Sequence, residues 1–163
     1  MTRRRRLYLL AGSIVGPMAV VALRLYTRLT KRPRVRVLVT NEKGEVLLVK
    51  GVISTSKKWT FPGGGVGRGE SLEDATRREL HEETGINIAN KRIRHMRTVP
   101  MAELDLHFDA PVFHVEVNQN DLPDVPHNPK EIAHIGWFDA KNVPEHTSRI
   151  VRKILAEYHA EKQ

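Results

Sequence analysis

The feature that most constrains this chain is a run of glycines that leads directly into a helix. Residues 63–69 read Gly-Gly-Gly-Val-Gly-Arg-Gly, and a helical stretch follows from Leu72 to Thr84. Ser71, with Asp74 three positions later, is placed to cap the helix at its start, and Gly85 is placed to end it. Bare N–H groups and the helix dipole make such a junction attractive to phosphate, although many glycine-rich loops are only turns.

Three glutamates of this helix share one face. At roughly 100° per residue, Glu79, Glu82 and Glu83 lie on the side that also carries the small and apolar residues. Carboxylates crowded together repel one another and need a counter-charge. Their oxygens suit a hard divalent cation, Mg²⁺ or else Mn²⁺. The alternative is a solvated helix face paired with basic residues, but the like-charged i,i+4 pair Glu79 and Glu83 weakens it.

A phosphate-binding loop and a metal-binding helix face in one unit indicate phosphoryl or pyrophosphoryl chemistry. In such chemistry the metal neutralises developing charge and lowers the pKa of the attacking water. The candidate substrate-binding residues are those of the loop, namely Gly63, Gly64, Gly65 and Arg68. The chain has no cysteine, which excludes disulfides, thiolate metal sites and cysteine nucleophiles.

The same residues resemble the Nudix box, the motif of the Nudix hydrolases. Every fixed position is present, and they are Gly64, Glu70, Arg78-Glu79-Leu80, Glu82-Glu83 and Gly85-Ile86. Trp59-Thr60-Phe61-Pro62 also looks like the usual lead-in to the box. The resemblance implies an α/β fold, an α/β/α sandwich around a mixed sheet, and hydrolysis of the pyrophosphate linkage in a nucleoside diphosphate derivative.

The resemblance also implies roles for individual residues. Glu79, Glu82 and Glu83 would ligate Mg²⁺ together with the carbonyl of Gly64, and Glu82 or Glu83 would orient or deprotonate the attacking water. Arg78 would pair with Glu70 or Glu79 and hold the carboxylate geometry. Family members vary in a further base or ligand outside the box, for which the candidates are Glu131, Glu103, Asp105 and Asp109.

The rest of residues 34–163 predicts a domain of strands with one more helix. Strands are expected at 35–40, 45–50, 93–99, 106–117 and 132–138, the first two as a hairpin. An amphipathic pattern predicts a terminal helix over 147–160.

The N-terminal segment 1–33 holds the excess positive charge. Of 27 Lys and Arg residues, ten lie in residues 1–36, whereas none of the 19 Asp and Glu do. Residues 7–23 are uncharged, and as a helix they would measure about 25 Å, against a hydrocarbon core of about 30 Å. We expect one N-terminal apolar helix that anchors the chain in membrane lipids with its catalytic domain facing the cytoplasm. Export after cleavage of a signal peptide is the alternative.

Competing functions remain open at this point. Beside hydrolysis of a small nucleotide, the fold could serve as a catalytically silent nucleotide sensor or scaffold at a membrane. Pyrophosphate removal from RNA 5′ ends is a lesser alternative, because the domain beyond residue 36 is nearly neutral and nucleic-acid binding normally needs a basic surface. Neither the oligomeric state nor the substrate can be inferred from the sequence.

Overall fold

The computed structural model describes residues 21–22, 25, 32–52, 58–88, 93–101, 108–118 and 130–161. The strands in this part are β1 (Arg36–Thr40), β2 (Glu45–Gly51), β3 (Arg94–Pro100), β4 (Asp109–Glu116) and β5 (Ile132–Asp139). They form one sheet in the order β3-β4-β1-β2-β5. β1 and β4 are parallel, and the other neighbouring pairs are antiparallel.

A helix covers each face of the sheet. α1 (Leu72–Thr84) packs through Leu80 on one face, and α2 (Arg149–Ala160) packs through residues such as Ile154 on the other. Successive residues of a strand point to opposite faces, so Val37 and Val39 belong to the α1 side and Leu38 to the α2 side. The predicted α/β/α sandwich with a mixed sheet is confirmed.

Most predicted elements occur where the sequence places them. The hairpin of β1 and β2 is present, with Thr40 opposite Val46, and α1 has the predicted bounds. α2 begins at Arg149 because Ser148, in an extended conformation, takes the N-cap position. β4 begins at Asp109; of the earlier part of its predicted range, residues 106 and 107 lie outside the described residues, and Phe108 forms a bend before the strand.

The predicted membrane-anchored localisation is contradicted. No helix in the described ranges is long and apolar enough to cross a membrane. The uncharged run of residues 7–23 was already shorter as a helix, at about 25 Å, than the hydrocarbon core of about 30 Å. Of that run only Val21 and Ala22, both exposed and helical, are described. The boundary at residues 33 and 34 stays a prediction.

Candidate functional site

The glycine-rich loop is seated against the beginning of β1. The N–H of Val37 donates to the carbonyl of Pro62 at 2.9 Å, and Arg34 forms an isolated bridge with Gly65. Gly63 has a φ of +137°, and a Cβ there would lie 2.2 Å from the carbonyl oxygen of Val35. Only glycine fits this position, because a side chain would collide with the strand backbone.

Gly64 makes room for a carboxylate of α1. A Cβ at this position would lie 2.2 Å from Oε2 of Glu79. The helix is fixed at both ends, since Oγ of Ser71 accepts the Asp74 N–H at 3.0 Å and Gly85 adopts a left-handed conformation with φ of 76°. These caps were predicted from the sequence, and they hold the acidic face of α1 against the loop.

Glu83 is the most buried of the three glutamates. One carboxylate oxygen accepts the N–H of Gly63 at 2.8 Å. The pKa of Glu83 is raised to about 7, mainly by burial and in smaller part by the negative charges of Glu79 and Glu131, while the Gly63 N–H and the charge of Arg36 oppose the shift. A carboxylate in this position is poised to change its charge near neutral pH.

Arg78 is the centre of an ion-pair network. Its Nε and Nη2 donate to the two carboxylate oxygens of Glu70 at 2.7 and 2.9 Å, and its Nη1 donates to Glu79 at 2.9 Å and Glu82 at 3.2 Å. Nη2 also donates to the carbonyl of Gly65 at 2.9 Å. The bond from Arg78 holds the pKa of Glu70 below its usual value. Arg78 therefore pairs with Glu70 and with Glu79, where the family resemblance had implied one or the other.

Glu79 and Glu82 differ in their surroundings. The side chain of Glu79 is 12% exposed and that of Glu82 is 50% exposed. Burial raises the pKa of Glu79, although the hydrogen bond and charge of Arg78 oppose the shift. Glu79 and Glu83, which lie on one helix, thus both have raised pKa values, because the effect of burial exceeds that of the positive charges around them.

The predicted metal ligands are close neighbours but do not converge on one point. In the described part of the chain, no group of three acidic or histidine side chains is arranged to hold a metal ion. The donor set nevertheless fits a hard divalent cation, because it consists of carboxylate oxygens whose charge is incompletely neutralised. The ligand set of Glu79, Glu82, Glu83 and Gly64 stays a prediction.

A basic cavity adjoins this carboxylate cluster. It has a volume of about 580 Å³, and its charged lining consists of Arg32, Arg34, Arg68, Arg78 and Glu70, beside the backbone of residues 65–69. The one acid among these lining residues is engaged, because the Glu70 carboxylate also accepts the N–H of Gly67 at 2.6 Å. The chemistry of the cavity therefore favours an anionic ligand.

The candidates for a further base or metal ligand lie outside the loop and α1. Glu131 is exposed immediately before β5, and its charge acts on Glu83. Asp109 is exposed at the start of β4, and Glu103 and Asp105 lie outside the described residues. The sequence interpretation did not include Arg36, whose guanidinium reaches the carbonyl of Gly63; an arginine within the β-branched run of a central strand was the available signal.

The sandwich and its acidic loop–helix unit define the class of proteins with the Nudix fold. The family description "NUDIX domain" matches residues 30–158, and the chain belongs to this family. Family members generally use divalent metals such as Mg²⁺. Two solved structures are similar: a MutT NUDIX hydrolase from Burkholderia pseudomallei (TM-score 0.62, 25% identity, 77% of this chain and 95% of that one) and a MutT protein from Methanosarcina mazei Go1 (TM-score 0.64, 25% identity, 81% and 95%).

Curated relatives match a shorter stretch. An RNA pyrophosphohydrolase of Haemophilus influenzae is 42% identical over 65 residues, which cover 40% of this chain and 32% of the relative. An RNA pyrophosphohydrolase of Ruthia magnifica is 35% identical over 91 residues, covering 56% of this chain and 47% of the relative. The chain thus spans between a third and a half of the length of these relatives. Their names lend no support to the predicted binding of membrane lipids.

Proposed function

We propose that the chain hydrolyses the pyrophosphate linkage of a nucleoside diphosphate derivative or nucleotide in a reaction that depends on Mg²⁺, with Mn²⁺ as a substitute. The observation that carries this proposal is the partly buried Glu83 carboxylate, which accepts a hydrogen bond from Gly63 of the glycine-rich loop. A carboxylate with a raised pKa beside such a loop is suited to proton transfer from water during phosphoryl chemistry.

Each residue of the unit has a proposed role. Glu79, Glu82 and Glu83 would hold the cation with the carbonyl of Gly64, and a cation bound there would supply positive charge to offset the charge that develops on the phosphates. Glu82 or Glu83 orients the attacking water and accepts its proton. Arg78 and Glu70 keep the carboxylates in place through the ion-pair network, and Glu131 is a further candidate for the base.

The loop and the basic cavity are the proposed place for the phosphate chain. Gly65 and Arg68 line the cavity, and Gly63 and Gly64 precede them in the same loop. Arginine binds phosphate oxygens in a forked, charge-assisted geometry. A substrate with several phosphates is therefore favoured over an uncharged ester.

RNA with a 5′ triphosphate is the second candidate substrate. The names of the relatives favour it, and the arginines of the basic cavity supply a positive patch that the overall charge of the domain conceals. Binding of RNA through such a patch would weaken steeply with added salt, whereas a small nucleotide would respond less. Salt dependence of KM therefore separates the two substrate classes.

Turnover by the full chain is expected to be lost when the divalent cation is removed. The measurement is product release from nucleotide sugars, dinucleoside polyphosphates, nucleoside triphosphates and triphosphorylated RNA, with Mg²⁺ and with chelator. Cation-dependent turnover of one class supports the proposal and names the substrate class. Tight binding of a nucleotide without turnover would contradict it and favour the sensor function instead.

Affinity for Mn²⁺ is expected to rise with pH up to about 7 and then to level off. Because burial raises the pKa of Glu83 to about 7 in the metal-free protein, a proton occupies this carboxylate below that pH and competes with the cation. Displacement of one proton predicts up to about tenfold tighter binding per pH unit in the acidic range. Mn²⁺ titrations between about pH 5.5 and about pH 8.5 test this range. Glu83→Gln should flatten the dependence of the affinity on pH.

A further inference from the structure

Arg36 is a partly buried arginine of β1 that belongs neither to the lining of the basic cavity nor to the ion-pair network of Arg78. It lies at the beginning of β1, which is flanked by β4 on one side and β2 on the other. Its neighbours Val35 and Val37 are fully buried. Burial lowers the pKa of the Arg36 guanidinium to about 10, and the nearby charge of Arg34 acts in the same direction. A charge in such a place is costly, so its contacts indicate its role.

The guanidinium of Arg36 is bonded to the loop that carries the site. Nη1 donates to the carbonyl of Gly63 at 3.0 Å and to that of Val35 at 3.0 Å. It therefore joins β1 to the loop at the point where the two backbones approach most closely, since a Cβ on Gly63 would lie 2.2 Å from the oxygen of Val35.

Gly63 is held from two directions. Its carbonyl accepts from Arg36, while its N–H donates to the Glu83 carboxylate at 2.8 Å. The positive charge of Arg36 also interacts favourably with the negative charges of Glu83 and Glu79. The contact with the carbonyl ties the loop to β1, and the attraction to the two carboxylates draws α1 toward the same arginine.

We propose that Arg36 is a positioning residue for the active site. By fixing the conformation of Gly63, its guanidinium directs the Gly63 N–H at Glu83 and sets where that carboxylate lies. The inference rests on the proposed function in so far as Glu83 acts in the reaction, but the orientation of Gly63 can be measured without turnover.

A merely structural arginine would behave differently when replaced. Arg36 is only partly buried, so an apolar side chain of similar length in its place should be compatible with the fold. Arg36→Met should therefore keep the fold while releasing Gly63, so that stability and site geometry respond separately. Arg36→Lys keeps the positive charge and an N–H donor, and it should restore part of what methionine loses.

The experiment compares these two variants with the wild-type chain and with Arg94→Met, a matched control at an exposed arginine on the edge strand β3. Hydrogen exchange of the Gly63 amide is followed by NMR, Mn²⁺ affinity by titration, and kcat and KM by product release. In Arg36→Met we expect faster exchange at Gly63, and losses of roughly 10- to 100-fold in Mn²⁺ affinity or kcat with KM changed far less. Arg36→Lys should lie between this variant and the wild type, and the control should match the wild type.

The amide measurement keeps the inference separate from the proposed function. Unchanged exchange at Gly63 in a folded Arg36→Met protein overturns it, whatever the activity. If Arg36→Met does not fold, Arg36→Lys and Arg36→Gln are compared with the wild type instead. The inference is overturned if both variants have the Gly63 exchange rate, Mn²⁺ affinity and kcat of the wild type. If the wild type turns over no substrate, faster Gly63 exchange with weaker Mn²⁺ binding still supports the positioning role, and the proposed function alone fails.

Discussion

Replacement of Glu83 by glutamine is expected to leave the fold intact and to lower kcat by roughly 100- to 10,000-fold. Glutamine keeps the shape of the side chain and an oxygen that can accept the Gly63 N–H, which Glu83 now binds at 2.8 Å. It removes the charge that would bind the cation and the basic oxygen that would accept a proton. Steady-state kinetics and Mn²⁺ titration measure the two losses, while thermal unfolding reports on the fold.

Glu73→Gln is the matched control, because it makes the same chemical change at an exposed position in the first turn of the same helix. We expect it to retain wild-type turnover and Mn²⁺ affinity. If Glu83→Gln were as active as this control, Glu83 would have no part in the reaction and the proposed site would be wrong.

Replacement of Gly63 by alanine is expected to damage both stability and activity. The residue has a φ of +137°, and the added Cβ would lie 2.2 Å from the backbone oxygen of Val35. The backbone at Val35 cannot yield easily because Val35 is fully buried and the strand that follows is paired with β4 from Arg36 onward, so the loop must move. We expect the free energy of unfolding to fall by roughly 2–4 kcal/mol, together with loss of turnover as the loop leaves Glu83. Urea unfolding and kinetics at a temperature where the variant is folded measure the two effects.

Gly69→Ala separates the collision from the cost of a left-handed backbone. Gly69 has a φ of +76°, but a Cβ there meets no atom within 4 Å. Its substitution should cost only roughly 1–2 kcal/mol. Equal destabilisation by the two variants would mean that the close approach of Val35 to Gly63 has no energetic weight.

The sequence was most informative where one local pattern decides the structure. The bounds of α1, its Ser71 cap and the left-handed Gly85 follow from side chains within a few residues of each other. The hairpin of β1 and β2 likewise needs only a turn at Gly44 between two β-branched runs. The two-sided core follows from the alternation of strand residues.

Contacts between segments that are distant in the sequence could not be predicted from such local patterns. The network of Arg78 could be expected only from the family resemblance, and its bonds to Glu70 and to the carbonyl of Gly65 depend on how the loop folds back over α1. Arg36 looked like one more residue of a basic segment, because nothing local indicates that its guanidinium reaches Gly63. The expectation of a membrane span relied on hydropathy alone, in a run near the lower limit of length.

The parallel pairing of β1 with β4 has a consequence for how the protein acquires its shape. The loop and Arg36 take their positions from β1, yet β1 finds its parallel partner only in residues much later in the chain. Pairings between distant segments close large loops and form slowly, whereas a capped helix forms early. The acidic helix is thus expected to exist in the folding chain before β1 is paired with β4, and the loop and Arg36 reach its carboxylates only late in folding.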